Sequence, residues 1–352
     1  MRFALSRVVP WLGGLVAAAN LIFLLAFAAT LLFAVTQVRA EVACTGQDLI
    51  AKMAVEEPDK LAAVRAEAAA EPNGQGLLWR VEKAGTVPSF LFGTMHMSDP
   101  RVTKLPAAAE TAFGAASSLV IETTDVLDQA KMAEAMLTHP HLMMFTDEGS
   151  LPGLLSPQDR ALVEAALAER GIALAAVQKM KPWIIAALVS LPACELARKS
   201  AGELVLDVLL AERAKQRGIA LHGLESMVDQ LEAMASLPME FHVRGLVDTL
   251  KLGDGIDDVM ETMLVLYAAG DIAAVWPFFR AVMPPETTGD EAGFAAFQEA
   301  MIVSRNRTMA EEAAPHFDAG GAFVAVGALH LPGADGLVEL LRARGYAVTR
   351  VE

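Results

Sequence analysis

Two short runs of this chain end in the same way, and that shared ending constrains the fold more than any other feature. Phe90-Leu91-Phe92-Gly93-Thr94-Met95-His96 and Val324-Ala325-Val326-Gly327-Ala328-Leu329-His330 each read as an apolar stretch, a glycine, two residues and a histidine. Apolar stretches of this length, rich in β-branched and aromatic residues, have the pattern of buried strands. Glycine permits a sharp turn and a close approach of backbone to ligand, and a side chain three residues on can point back over the end of a sheet. Two further runs end in carboxylates. Ser118-Leu119-Val120-Ile121 is followed by Glu122, and Ala220-Leu221-His222-Gly223-Leu224 by Glu225.

The segments around these runs define an α/β fold. Leu77-Leu78-Trp79-Arg80-Val81 and Pro88-Ser89-Phe90-Leu91-Phe92 flank Lys83-Ala84-Gly85 and predict an N-terminal hairpin. Tyr346-Ala347-Val348-Thr349-Arg350-Val351 predicts a last strand that closes the sheet. An alanine-rich helix is expected over 48–70 and another over 105–115. Helical periodicity fills about 126–217 and 226–316, the second interrupted by a polar loop over 284–290. Strands separated by helices imply a central, mostly parallel sheet with helical cover. The two insertions are too long for simple crossovers and are expected to form a helical lobe over one end of it.

Ligands of open parallel sheets bind beyond the carboxyl ends of the strands. Four such ends here offer two imidazoles, His96 and His330, and two carboxylates, Glu122 and Glu225. That donor set suits manganese, iron, cobalt or zinc. An ion so held would acidify a bound water or polarise a carbonyl, with one glutamate free to act as general base. Each residue also has an ordinary reading. A histidine after a strand is commonly a satisfied loop or core residue, and Glu122-Thr123-Thr124-Asp125 resembles a helix start. His139-Pro140-His141 reads as a surface turn, His222 as a core or supporting residue inside a strand, and His316 as a cation at a helix C-terminus. His242 has no partner legible in the sequence. The methionines, Trp183 and Trp276 are expected to pack the helical lobe.

The address of the chain is read from its first forty residues. Arg2 and Arg7 precede a run from Val8 to Val38 without a charged side chain, long enough to cross a bilayer. It is longer than the roughly 7–15 apolar residues of a signal-peptide core, whereas Val38-Arg39-Ala40 offers a cleavage site. Residues 1–40 are therefore a signal peptide or an N-terminal membrane anchor, and either places 44–352 outside the cytoplasm. Removing Arg2, Arg7 and Arg39 lowers Lys+Arg from 28 to 25 against 43 Asp+Glu, leaving −18, so nucleic acid is excluded as a partner. Cys44 and Cys194 are the chain's two cysteines, and an oxidising compartment favours their pairing.

An ordered set of fragments resembles the TraB/PrgY/GumN family, in its GumN-like bacterial branch, which is related to the Tiki-type metalloproteases. The matching stretches are Leu78-Trp79-Arg80-Val81, 91–100 (LFGTMHMSDP), Lys181-Pro182-Trp183, Gly223-Leu224-Glu225, Arg305-Asn306-Arg307, and 326–333 (VGALHLPG). The resemblance implies that His96 and His330 are the family's paired G-x-x-H histidines, that Glu122 and Glu225 are its acidic positions, and that Arg305 is its arginine before the last core strand. Arg305 would neutralise a substrate carboxylate or an oxyanion. The family implies a metal-dependent hydrolase, a peptidase on peptide or protein substrates, with manganese or cobalt as the ion. Two other readings are a peptide- or metal-binding envelope protein without turnover, and an accessory factor in surface polysaccharide export.

Overall fold

The computed structural model describes residues 44–253, 255–283 and 291–351. The apolar N-terminal run and the loop over 284–290 lie outside these residues. Six strands form one sheet: β1 (Leu78–Glu82), β2 (Ser89–Thr94), β3 (Ser118–Ile121), β4 (Ala220–Gly223), β5 (Ala322–Gly327) and β6 (Ala347–Arg350), in the order β4-β3-β5-β2-β1-β6. The pairings β2–β5, β3–β5 and β3–β4 are parallel, while β1 pairs antiparallel with both β2 and β6. The sheet is therefore mixed and mostly parallel, with the expected hairpin. The last strand lies on its outer edge, beside β1.

The central strands are almost continuously apolar, because both faces of the sheet are covered. Their side chains alternate between two cores, as the period of 2 requires. Phe92, Leu119, Ile121, Phe323 and Ala325 face one core, where the helices Ala107–Ala115 and Leu206–Arg217 pack. Leu91, Val120, Val324 and Val326 face the other, against Ser304–Ala319 and Leu337–Ala343. The rings of Phe92 and Phe113 lie 5.6 and 5.4 Å from that of Phe323. Each such buried side chain contributes about 1.5–3 kcal/mol relative to exposure.

The helical insertions build a third core of their own. Leu151, Val163, Leu167, Ile185 and Val189 from the first meet Leu246 and Leu250 from the second. The N-terminal helical segment joins a fourth, where Met53, Leu61 and Val64 meet Val259, Leu266 and Phe278. That segment is two helices, Leu49–Glu56 and Pro58–Ala70, rather than one over 48–70. Pro58 lacks the N–H that would continue the first helix and starts the second instead.

Cys44 and Cys194 form a disulfide across a sequence separation of 150. With both cysteines paired, the chain has the chemistry of an oxidising, extracytoplasmic compartment. The bond ties the start of the described chain to the helix Ala193–Ser200. The next residue, Glu195, is fully buried and accepts hydrogen bonds from the Ser98 N–H and hydroxyl, both at 2.9 Å. The loop that follows His96 is thereby pinned to the disulfide-bearing helix. Among the described residues, no helix is long and apolar enough to cross a membrane.

Candidate functional site

The strand register brings the motif residues together. Thr94 on β2 lies opposite Gly327 on β5, so His96 and His330 follow at the same edge, two and three residues past paired positions. Ile121 on β3 lies opposite Ala325 on β5 and Gly223 on β4, which puts Glu122 and Glu225 at that edge too. Both motif glycines act here by lacking a side chain, and neither has a positive φ. A Cβ at Gly93 would stand 2.8 Å from the Leu331 side chain and 3.0 Å from the Ala328 backbone. At Gly327 it would stand 3.1 Å from Glu122 Oε1 and 3.4 Å from the His330 ring. A side chain at 327 would crowd Glu122 Oε1, the oxygen that accepts the Gly327 N–H.

His96, His330, Glu122 and Arg305 all line one cavity of about 260 Å³. His96 donates from Nδ1 to Asp207 Oδ2 at 2.7 Å, and Thr94 Oγ1 donates to the other carboxylate oxygen at 2.6 Å. His330 Nδ1 meets Asn306 Oδ1 at 2.7 Å, and the Asn306 amide nitrogen donates to the Asp335 carbonyl at 2.8 Å. Both partners are acceptors, so both rings carry a proton on Nδ1; this leaves the Nε2 lone pair of neutral His330 free, and that of His96 once its second proton is lost. Asp207, on a helix over a hundred residues from His96, and Asn306 were not legible as site residues, although Asn306 sits inside the Arg305-Asn306-Arg307 stretch.

The carboxylates are organised by Arg305. Its Nη2 donates to Glu122 Oε2 at 2.7 Å and to Glu225 Oε1, and its Nε lies 3.1 Å from Glu225 Oε2. Gln230 Nε2 bridges the same pair, 3.1 Å from Glu122 and 2.8 Å from Glu225. Glu122 Oε1 accepts the Gly327 N–H at 2.6 Å and lies 3.9 Å from His330 Nε2. Glu122 thus caps no helix. Glu225 does not line the imidazole cavity; it stands behind Arg305, in a separate depression with Asp229 and Ser304. A π-helical turn, Glu299–Val303, immediately precedes the arginine, and its Met301 carbonyl accepts from Arg305 Nη1 at 3.1 Å. Such turns recur at functional sites and leave no signature in residue spacing.

The charges follow from these contacts. Burial alone would raise the Glu122 pKa, but His330, Arg305, His96 and the Gly327 amide together hold it at about 2. Burial lowers His330 to about 4, so at neutral pH it is uncharged, and Arg305, His96 and the amide are what keep Glu122 ionised. The Asp207 hydrogen bond raises His96 to about 9, although 63% of its side-chain surface is exposed and water screens the pair. A carboxylate held this low is a weak base, so Glu122 suits charge stabilisation or ligation better than proton abstraction.

The remaining histidines lie away from the cavity. His222 is exposed, because β4 is the edge strand, and its ring lies 4.5 Å from His316. Burial lowers the His316 pKa, which opposes the charge expected at its helix end. His139 and His141 flank a helix break with rings 6.0 Å apart. His242 is buried with an unpartnered Nε2. Trp276, expected as lobe packing, lines the imidazole cavity.

The fold and site define a class: a mixed α/β protein with two imidazoles of fixed tautomer and an arginine-clamped carboxylate pair at the ends of its parallel strands. Residues 77–350 match the TraB/PrgY/gumN family profile, and the chain belongs to that family. No curated protein and no solved structure matches it significantly.

Proposed function

We propose that this chain is an extracytoplasmic hydrolase acting on peptide or protein substrates, with His96 and His330 at its reacting centre. The observation that carries the reading is the paired orientation: two imidazoles line one cavity, each held through Nδ1 by a fixed oxygen acceptor. This is the pattern of metal-binding histidines, whose second nitrogen is held by an oxygen. The nitrogens therefore fit a divalent transition metal, manganese or cobalt by the family resemblance, with zinc or iron as alternatives.

The carboxylates fit less well as they stand. Glu122 and Glu225 are engaged by Arg305 and Gln230, and among the described residues no three His, Cys, Asp or Glu side chains lie close enough together to hold an ion. The ion would sit on His96 and His330, with Glu122 as the carboxylate that lines the same cavity, 3.9 Å from His330 Nε2. It would supply an acidified water and a polarised carbonyl.

The chain's own residues do the remainder. Asn306 orients His330 and Asp207 orients His96, each through the Nδ1 proton. Arg305, on the cavity wall, balances the carboxylates and offers positive charge to a developing oxyanion. The N-terminal segment would leave the enzyme membrane-anchored or secreted into the periplasm or cell envelope.

The test is digestion of a defined peptide mixture by the full chain with manganese, cobalt, zinc, iron or a chelator, read by mass spectrometry. New termini are expected with the parent and not with folded His96→Ala or His330→Ala. Full cleavage by both variants would overturn the assignment. Peptide binding without cleavage under every ion would favour a binding protein of the envelope.

A further inference from the structure

The imidazole cavity shares a wall with a second one. Met263, Val275, Trp276, Phe297 and Leu329 line both. The second cavity measures about 280 Å³, and Phe241, Phe279 and Phe294 complete its aromatic lining. Arg244 is the one ionisable residue among the described residues that line it. The rings pack edge to face, Trp276 lying 5.7 Å from Phe297 and 6.4 Å from Phe279. Neither cavity alone reaches the roughly 300–1,000 Å³ of sites that hold small molecules, whereas the two together fall within that range. A ligand reaching from the imidazoles past Trp276 would leave water for an almost wholly apolar surface.

We propose that the substrate carries, beside the bond to be cut, an extended apolar chain that ends in this second cavity. The inference rests on the hydrolase reading for its reaction and on the two cavities for its ligand. The shared chemistry is an extended apolar segment, supplied either by an acyl group or by an apolar stretch of peptide. Gly245 gives the means to test it. It lines the second cavity, and a Cβ there would meet no heavy atom within 4 Å. It also lies inside the helix Met239–Lys251, where replacing glycine favours the helix. A larger side chain at 245 therefore takes up space in the second cavity, on a wall that the imidazole cavity does not share.

The experiment titrates the full chain with uncharged N-alkylacetamides, from hexyl to dodecyl, and follows tryptophan fluorescence. A Trp276→Phe variant assigns the signal. Affinity is expected to rise roughly fourfold per added methylene, the value for a buried CH₂, until the cavity is full. Gly245→Phe should abolish the rise beyond the shortest chains, and the smaller Gly245→Ala should end it one or two methylenes early. A length series that is flat in the parent, or unchanged in both folded variants, overturns the proposal. Competition by acetyl-Leu-Phe-Leu-Leu-amide assigns the chain to a peptide, and an intact series without competition assigns it to an acyl group. Because the readout is binding, an intact series in a protein that cleaves nothing would refute the hydrolase reading alone.

Discussion

Replacing Arg305 by methionine tests the electrostatic design of the site. The guanidinium side chain is 12% exposed, and it bridges carboxylates that are 7% exposed at Glu122 and 3% at Glu225. Methionine keeps much of the volume and removes the charge, leaving two buried carboxylates with the Gln230 and Gly327 N–H hydrogen bonds and the more distant charge of His96. Breaking a buried ion pair by deleting one partner costs about 3–5 kcal/mol, and that is the loss expected at pH 7. Urea unfolding of the full chain, followed by circular dichroism and tryptophan fluorescence, would measure it. The penalty should shrink at pH 4, because the stranded carboxylates can then take up protons, and Glu225→Gln in the same background should recover about 0.5–3 kcal/mol. A loss below about 1 kcal/mol, the range of an exposed ion pair, would show that the clamp is not formed as described. So would full additivity of the two substitutions.

Three other outcomes follow from particular contacts. Removing the disulfide with Cys44→Ala/Cys194→Ala should cost about 5 kcal/mol of stability by loop-closure entropy over the separation of 150, measured by denaturant unfolding against the oxidised parent. Glu122 has a folded pKa of about 2 against 4.5 unfolded, so its contribution, roughly 3 kcal/mol, is complete above about pH 4.5 and lost as pH falls toward 2. Glu122→Gln should flatten the acid limb of a stability-versus-pH curve, and an unchanged limb would contradict the charge balance described. Asp207→Ala frees the His96 ring and should weaken metal binding or hydrolysis about 10–100-fold with little change in secondary structure, checked by metal titration and peptide cleavage.

How much of this was legible in the sequence depends on the range of the interaction. The strands were legible because buried parallel strands read as nearly continuous apolar runs, and Ala322–Gly327 shows it directly. The two imidazoles were legible because each follows a strand at the same offset. Their supports were not. Asp207 and Asn306 reach His96 and His330 from helices Leu206–Arg217 and Ser304–Ala319, and no local pattern records which strand end a helix will face. Glu122 and Glu225 share an offset in sequence, yet Glu122 lines the cavity and Glu225 stands behind Arg305. Their difference comes from strand order, since β3 lies next to β5 and β4 is one strand further out. The same order exposes His222, which an apolar context had suggested as an interior residue.

The most direct test of the centre is metal content. The full chain, purified without a histidine tag and reloaded separately with manganese, cobalt, zinc and iron, would be compared by elemental analysis with a folded His96→Ala/His330→Ala variant. The account predicts close to one ion per parent chain and its loss in the variant. Equal metal in both proteins, or none in the parent after every reloading, would contradict a centre built on the two Nε2 atoms.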